Sequence, residues 1–358
     1  MITKTEIYGT PAFEFPDRYS TFGKPVIFDI ETTGFSPESS FTYLIGVLFP
    51  EENNWKMTQW LSETPEDEKE LLTSFFYFMK DFQVLVHFNG DAFDLPYLMK
   101  RCTALELPFF PENLQSIDLY RTFRPLKKLL KLSAMNLKSL EEFLSVSRKD
   151  TMDGGKLISV YHQFAQTGAY DLQEILLLHN HDDLLGTASL FSLFSYSDLL
   201  DGKFELSGVS QMEEDENSFQ LLLSLTLKTP VPKQISVPLE HGYLTACGSS
   251  CRMSIHGFRG NLKYFFNDYK NYYYLPLEDT AIHKSVASYV DREHRVPAKA
   301  STCYCRKNGC FLPVYDTAVT PLFKKDYKDV SYFMECTPEF LSDTRALEQY
   351  LSGLLKHV

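Results

Sequence analysis

Short apolar runs and amphipathic segments alternate through the first 200 residues of the chain. The apolar runs, rich in β-branched and aromatic residues, predict strands at residues 26–30, 43–49, 55–61, 84–88 and 116–119. Helical spacing predicts helices at residues 64–79, 92–101, 132–144 and 170–194. Because three strands come first and strands then alternate with helices, the order favours an α/β domain with a mixed five-stranded sheet flanked by helices.

This pattern changes near the middle of the chain. Residues 208–218 are polar and acidic, and the apolar runs beyond them are short and punctuated by Pro and Gly. We therefore expect an N-terminal domain at 1–207, an acidic linker at 208–218, and a smaller β-rich (α+β) accessory domain at 219–358. Two domains also agree with a length of 358 residues.

The amino-acid composition limits the classes of protein to which this chain could belong. A hydrophobic fraction of 44% is typical of a globular protein, and no apolar run is long enough to span a membrane. The first residues lack an apolar signal core, so we expect a cytoplasmic location and no membrane partner. Seven cysteines without paired C-x-x-C spacing favour reduced, buried thiols, with a structural zinc site as the alternative.

The net charge of −12 is unfavourable for a protein that coats nucleic acid, because phosphates prefer basic surfaces. It does not exclude a nuclease. Nucleases carry acidic metal ligands, and the bound cations reverse the local field.

Two acidic side chains share one face of the first predicted strand. Asp29 and Glu31 are two residues apart, and side chains with this spacing project from the same face of a sheet. Two carboxylates in this position repel each other unless a cation lies between them. The turn that follows, Thr32-Thr33-Gly34, would let a substrate backbone approach closely. The alternative is a solvent-facing pair at the end of a strand.

A third acid, Asp94, follows the strand at 84–88. It lies at the start of a predicted helix, with Asp91 as the expected helix cap and Asp94 in the first turn. The alternative is that Asp94 only complements the helix dipole.

Polar residues interrupt the apolar helix at 170–194. The run is His179-Asn180-His181-Asp182-Asp183, in which His179 and Asp183 are four residues apart and share a helix face. Burying these groups among leucines is costly unless a metal or hydrogen bonds compensate. The alternative is a single solvated stripe.

Together these acids favour hydrolysis of a phosphodiester with two divalent cations. Hard cations such as Mg²⁺ or Mn²⁺ need several carboxylate oxygens from separate elements. One cation activates water and the other stabilises the leaving oxygen. A nearby base must accept the proton of water, and the imidazole of His179 suits that task near neutral pH.

Three motifs resemble, in order and spacing, those of the DEDD 3'-5' exonuclease superfamily, which has the RNase H-like fold. FDIETTG at 28–34 looks like the first motif, FNGDAFDLP at 88–96 like the second, and HNHDD at 179–183 like the third. Within the superfamily the chain is most similar to the YprB-like predicted exonucleases. The likeness covers roughly residues 20 to 195, within the part of the chain that carries the alternating pattern.

The resemblance implies four metal ligands, Asp29, Glu31, Asp94 and Asp183. In the tyrosine-type subfamily a Tyr lies four residues before the final Asp, and in the histidine-type subfamily a His lies five before it. His179 therefore has the tyrosine spacing and the histidine chemistry. With Asp182 as the ligand, His179 would match neither pattern, so Asp183 is preferred.

Further substrate contacts are expected from Thr32, Thr33, Gly34, Asn89 and Phe93. Beyond residue 210, aromatic and basic residues interleave at 258–274, which favours either a stacking platform for single strands or the core of a β-rich domain.

We therefore expect a two-metal-ion 3'-5' exonuclease that acts on single-stranded DNA or RNA with a free 3' end. Two alternatives remain: a nucleic-acid-binding module with a degenerate or weakly active nuclease core, and an enzyme for short oligonucleotides or a modified nucleotide. The choice between DNA and RNA is not made by a site that contacts phosphate.

Overall fold

The chain divides into two compact units, Met1–Phe194 and Ser195–Val358. The structure is a computed structural model that describes residues 1–8, 15–16, 19, 22–109, 114–152, 154–315 and 320–358.

The first unit contains a mixed sheet of six strands. They are β1 (Ile2–Tyr8), β2 (Pro25–Thr32), β3 (Thr42–Glu51), β4 (Asn54–Leu61), β5 (Val84–His87) and β6 (Gln115–Asp118). Their order in the sheet is β1-β4-β3-β2-β5-β6. The four strands from β1 to β2 are antiparallel neighbours, and β2, β5 and β6 are parallel.

Helices of the first unit connect and cover these strands. They are α1 (Glu68–Phe78), α2 (Asp94–Ala104), α3 (Leu119–Phe123), α4 (Leu137–Leu144), α5 (Gly154–Thr167) and α6 (Tyr170–Ser189). Short 3₁₀ turns extend α1 and α6 at Pro65–Asp67 and Leu190–Leu193. The α/β class and the helix-flanked mixed sheet expected from the sequence are thus confirmed.

The sequence pattern missed the edge strand β1 and the helix α5. In β1 the residues that face inward include Lys4 and Glu6, and Ile7 is two-thirds exposed, so the strand lacks the usual apolar alternation. It is held by backbone pairing with β4, from Ile2 opposite Leu61 to Tyr8 opposite Trp55. The sheet consequently has six strands, and the predicted number of five was wrong.

The two faces of the sheet bury different sets of side chains. On one face, Phe28 and Ile30 of β2 pack with residues of α1 and α2 such as Phe75 and Leu98. On the other face, Leu44 of β3 lies in a cluster with residues of α5 and α6. Because side chains alternate along β2, residues 29 and 31 point away from the first cluster. They therefore point to the α6 side of the sheet.

The second unit is β-rich. Its strands are β7 (Phe204–Glu213), β8 (Ser218–Leu239), β9 (Gly242–Phe265), β10 (Tyr272–Leu275), β11 (Thr280–His283), β12 (Val296–Pro297), β13 (Tyr304–Val314) and β14 (Tyr332–Glu335). They form a five-stranded sheet in the order β14-β13-β9-β8-β7 and a three-stranded sheet in the order β11-β10-β12. Its helices are α7 (Phe194–Leu200), which begins at the last residue of the first unit, α8 (Pro338–Ser342) and α9 (Thr344–Leu355).

The segment 208–218, for which the sequence predicts a linker, has a different structure. It forms the end of β7, a turn and the start of β8, with Glu213 paired to Phe219. Most residues of this part of β7 are exposed because β7 is an edge strand of its sheet, so a polar sequence is tolerated there. The division between the units instead falls after Phe194. Among the described helices, none is long and apolar enough to cross a membrane.

Candidate metal and catalytic site

The site begins at the end of β2, where Asp29 meets helix α6. Nδ2 of Asn180 donates a hydrogen bond of 2.9 Å to Oδ2 of Asp29. The amide of Asn180 is itself oriented by Gln59 of β4, whose Nε2 donates to Asn180 Oδ1 at 2.9 Å. Gly46, which pairs with Asp29 across β2 and β3, leaves room for the side chain of Asn180. The contact therefore depends on four elements, β2, β3, β4 and α6.

Helix α6 places two further residues beside Glu31, the second acid of β2. Nε2 of His179 lies 3.4 Å from Oε1 of Glu31 and 3.5 Å from Oδ2 of Asp183. Glu31, His179 and Asp183 form one of two groups in the described part of the chain that are close enough to hold a metal ion. The two residues of α6 meet Glu31 because they are one helical turn apart.

The fourth acid, Asp94, is the first residue of α2 and is only 8% exposed. Asn89 adopts a left-handed conformation, with φ of 63°, so that the chain turns sharply between β5 and α2. The carbonyl of Gly90 then accepts from the amide of Leu95 at 3.0 Å. Asp91 is not the helix cap expected from the sequence, because the helix begins three residues later and Asp91 pairs with Arg121 at 2.5 Å.

The pKa values of Asp29, Glu31 and Asp94 indicate that these carboxylates are crowded together with Asp183. Burial raises the pKa of Asp29 well above its ordinary value, and the charges of Asp183, Glu31 and Asp94 raise it further. Burial and the charges of Asp183 and Asp94 act in the same direction on the pKa of Glu31. Burial is also the main reason that the pKa of Asp94 rises to about 7. Crowded, buried carboxylates of this kind fit divalent cations, which would remove the repulsion.

A loop after α4 supplies the positive charge of the site. Arg148 bonds Oδ1 of Asp183 through Nη2 and both oxygens of Glu141 through Nη1, at 2.9 and 3.0 Å. Glu141 has room against α6 because a Cβ at Gly186 would lie 1.8 Å from its Oε1. One oxygen of Asp183 is thus occupied by arginine, and its other oxygen faces His179.

Asp182 and Asp183 have different surroundings, although they are neighbours in sequence. Oδ2 of Asp182 accepts from the backbone amides of Lys149 and Asp150, at 2.7 and 2.8 Å. Burial opposes the charge of Asp182, but these hydrogen bonds and His181 outweigh it and leave its pKa below the ordinary value. Asp182 therefore anchors the loop that carries Arg148, whereas Asp183 faces the other carboxylates.

The residues expected to touch substrate follow Glu31 or precede Asp94 in the chain. Oγ1 of Thr32 donates to the carbonyl of Gly34 at 2.9 Å, and the amide of Thr33 donates to the carbonyl of Phe41, so the turn after β2 is closed by its own hydrogen bonds. The ring of Phe93 lies edge-on to Phe35, with 6.1 Å between centroids.

Phe93 and Asn89, two of the expected substrate contacts, differ in their surroundings. Phe35 is 88% exposed and offers an aromatic surface beside Phe93. Asn89 uses its backbone amide to bond Oδ1 of Asp118 at 3.0 Å. Asn89 nevertheless remains an exposed residue, whereas Phe93 is half-buried and adjoins the exposed ring of Phe35.

The second group with metal-binding spacing is His87, Asp91 and Asp118. His87 is buried, and burial lowers its pKa despite the nearby carboxylates. Its Nδ1 accepts from the amide of Gly90 at 3.0 Å, which places its proton on Nε2, 2.7 Å from Oγ of Ser116. These hydrogen bonds give the imidazole of His87 a structural role, which is to hold the turn before Asp94.

All seven cysteines are free thiols, and the two groups with metal-binding spacing in the described ranges contain none of them. The aromatic residues at 258–274 of the second unit are largely used in packing. Tyr272 and Tyr274 pack around Ala281 and Cys303, and Tyr273 is covered by Arg295, at 5.0 Å from its ring centroid.

Arg148, Asp150 and Glu141 were not identified as site residues from the sequence. Glu141 lies within α4, and Arg148 and Asp150 lie in a charged stretch between α4 and α5, where such residues are usually solvated. The glycines at 46 and 186 gave a weak signal, since an isolated Gly within a strand or helix often marks a close approach.

Residues 26–195 match the model of a family described as the RNase_H superfamily. Protein YprB of Bacillus subtilis (strain 168), which is uncharacterized, is 29% identical over 255 residues, covering 63% of this chain and 61% of YprB. DNA polymerase 1 of Sulfurisphaera ohwakuensis is 40% identical over 70 residues, covering 19% of this chain and 8% of the polymerase. The chain thus spans about three fifths of YprB and a small part of the polymerase.

Among solved structures, the family B DNA polymerase from the archaeon Pyrobaculum calidifontis is similar with a TM-score of 0.40 and 18% identity, over 50% of this chain and 25% of that chain. E. coli exonuclease I in complex with a dT13 oligonucleotide is similar with a TM-score of 0.31 and 11% identity, over 56% and 55%.

The match to the RNase H superfamily model thus lies in the first unit, which has the mixed sheet and flanking helices described above. The similarity to YprB confirms the resemblance to YprB-like proteins that the sequence indicates.

Proposed function

We propose that this protein is a metal-dependent 3'-5' exonuclease that hydrolyses single-stranded nucleic acid. The observation that carries the proposal is the convergence of four carboxylates from three elements of an RNase H-like domain. Asp29 and Glu31 come from β2, Asp94 from α2 and Asp183 from α6, and the charges of Asp183 and Asp94 raise the pKa values of both Asp29 and Glu31. The direction of hydrolysis comes from the resemblance of the three motifs to DEDD exonucleases.

Asp29, Glu31, Asp94 and Asp183 would hold two cations, Mg²⁺ or Mn²⁺, which would activate water and stabilise the leaving oxygen. The chain's other residues hold these carboxylates in place. Asn180 orients Asp29, and Arg148 bonds one oxygen of Asp183. Such supporting bonds keep reacting groups in position before the substrate arrives.

His179 has two roles open to it in this site. It would accept the proton of the attacking water, as the sequence suggests, or it would bind a cation directly. Both roles use Nε2, which faces Glu31 and Asp183.

The experiment compares single-stranded DNA and RNA of one sequence, labelled at the 5' end and incubated with Mn²⁺. We expect a ladder that shortens from the 3' end. Loss of a cation ligand should remove several kcal/mol of transition-state stabilisation. Asp29→Asn and Asp183→Asn should therefore each lower the rate by more than about 100-fold. Asp81→Asn, an exposed acid outside the site, is the matched control and should leave the rate unchanged.

A different outcome would change the assignment. If neither strand shortens but both bind the protein, the alternative of a binding module with a degenerate nuclease core is supported. Shortening that is equally fast in Asp29→Asn would place the activity elsewhere and reject the proposed site.

A further inference from the structure

His179 is held in one orientation by a carboxylate outside the group of four acids. Its Nδ1 lies 2.7 Å from Oδ2 of Asp150, and both side chains are buried. An ionised carboxylate can only accept a hydrogen bond, so Nδ1 carries a proton and donates it to Asp150. In the neutral imidazole the lone pair is then on Nε2.

That lone pair faces two carboxylate oxygens. Oε1 of Glu31 is 3.4 Å from Nε2, and Oδ2 of Asp183 is 3.5 Å away. Three acceptors that face one another repel unless a positive charge lies between them. In a tetrahedral site with bonds of about 2.1 Å, neighbouring ligand atoms are about 3.4 Å apart. The two distances agree with this spacing.

We propose that His179 is a metal ligand, which with Glu31 and Asp183 binds a divalent transition-metal cation, and that Asp150 is its positioning residue. A histidine ligand that donates its other N–H to a carboxylate is a common arrangement in metal sites. The inference rests on the proposed function in one respect, namely that these carboxylates hold a cation.

The surrounding contacts prepare this geometry. Arg148 occupies Oδ1 of Asp183, so the oxygen left for a cation is Oδ2, the one that faces His179. Asp182 accepts from the backbone amide of Asp150 and thereby fixes the loop that orients the imidazole. A general base would instead need Nε2 to point at water, whereas here it points at two ligand oxygens.

The combination of one imidazole and two carboxylates also favours some divalent cations over others. Imidazole favours zinc and other transition metals, whereas Mg²⁺ prefers oxygen ligands and retains its water. The site should therefore bind Mn²⁺ or Zn²⁺ more tightly than Mg²⁺. Replacement of His179 should weaken Mn²⁺ binding more than Mg²⁺ binding.

The test uses the full chain and Mn²⁺ alone, without substrate. With less than one equivalent of Mn²⁺, pulsed electron paramagnetic resonance of the wild-type protein should show coupling of the metal to ¹⁴N of an imidazole. Calorimetric titration should show at least about tenfold weaker Mn²⁺ binding in His179→Gln. For Asp150→Asn the expected loss is about 10–100-fold. His162→Gln, an exposed histidine of α5, is the control and should keep both the ¹⁴N signal and the affinity.

Absence of ¹⁴N coupling in Mn²⁺-loaded wild-type protein would overturn the proposal, and that measurement requires no variant to fold. Unchanged Mn²⁺ affinity in a folded His179→Gln, checked by its thermal transition, would also overturn it and would restore the general base. The outcome is separate from the exonuclease assay. A protein that shows ¹⁴N coupling but shortens no strand keeps the metal ligand and loses the proposed function.

Discussion

At the scale of single residues, the candidate site depends on a glycine in β3, where any side chain would clash. Gly46 lies opposite Asp29 in the pairing of β2 and β3. A Cβ at this position would lie 1.9 Å from Oδ1 of Asn180 and 2.7 Å from Cδ1 of Leu184. Both contacts are far shorter than van der Waals contact. Gly46 therefore lets α6 approach the sheet closely enough for Asn180 to reach Asp29.

We expect Gly46→Ala to disturb the site and the packing of α6. Overpacking of this kind costs about 1–3 kcal/mol of the free energy of unfolding, and the bond between Asn180 and Asp29 should be lost. Denaturant unfolding and the rate of strand shortening measure the two effects. Gly208→Ala is the matched strand control, because the nearest atom to its Cβ would be 3.6 Å away. Equal unfolding curves for Gly46→Ala and the wild type would show that α6 can move without cost.

The pKa of Asp94 predicts how the metal-free protein responds to pH. Burial raises this pKa from an ordinary 3.8 to about 7, so the folded state binds the proton more tightly than the unfolded state. The stabilising contribution of protonated Asp94 is fully present below about pH 4 and is lost as pH rises through about 7. With a chelator present, the stability of the wild type relative to Asp94→Asn should therefore fall between about pH 5 and pH 8. If the wild type and Asp94→Asn differ by the same free energy of unfolding at about pH 5 and at about pH 8, the prediction is contradicted.

At the scale of elements, a buried ion pair joins α1 to α2. Arg101 of α2 bonds both oxygens of Glu68 of α1, and its Nη1 donates to the carbonyl of Pro37 at 2.8 Å. Oε1 of Glu68 also accepts from the amide of Thr42, the first residue of β3, at 2.9 Å. One pair thus joins two helices, a strand and the connection that follows β2, the strand of Asp29 and Glu31.

We expect Arg101→Ala to destabilise the first unit strongly. It would leave the carboxylate of Glu68 buried without its cation, which costs about 3–5 kcal/mol. Lys100→Ala is the neighbouring control, because Lys100 pairs with Glu38 at the surface, where both side chains are exposed. Urea unfolding should separate the two variants. A midpoint for Arg101→Ala equal to that of Lys100→Ala would mean that Glu68 is solvated in the variant.

At the scale of the whole molecule, the net charge bears on the stability of the protein through the proposed metal site. The chain carries a net charge of −12, and four of its acids crowd into one buried group. Under the proposed function, bound cations would offset the repulsion between these carboxylates, so cation binding would stabilise the folded state. A cation that binds only the folded state stabilises it in proportion to its concentration relative to Kd.

Mn²⁺ should therefore raise the thermal stability of the protein, and a chelator should reverse the effect. At a concentration of 100 Kd the expected gain is about 2.7 kcal/mol. Asp183→Asn should lose most of this gain, and Asp81→Asn should retain it. If Mn²⁺ leaves the unfolding temperature of the wild type unchanged, the carboxylates do not form a cation site under those conditions.

Much of the first unit could be predicted because its signals are local. The strands β2 to β6 follow from apolar runs, and α1, α2 and α6 follow from helical spacing. The strand β1 and the helix α5 were missed, since an edge strand held by backbone pairing needs no apolar alternation. The segment 208–218 was predicted as a linker from its charge, because a one-dimensional pattern does not distinguish an exposed strand edge from a linker.

For the candidate site, the sequence by itself determined which acids are available and which of them share a face. Asp29 and Glu31 alternate on one strand, and His179 and Asp183 are one helical turn apart, so local geometry alone places each pair. Their roles stay predictions until the variants are measured.

Only the tertiary structure decided which distant groups meet these acids. Arg148 and Asp150 come from a loop that Asp182 holds against α6, and Gly46 admits Asn180 to Asp29. Hydrogen bonds between residues far apart in sequence leave no periodic signal, because they depend on how the helices pack on the sheet. The orientation of His179, from which its proposed role as a metal ligand is argued, was decided at that level because it depends on which atoms face one another.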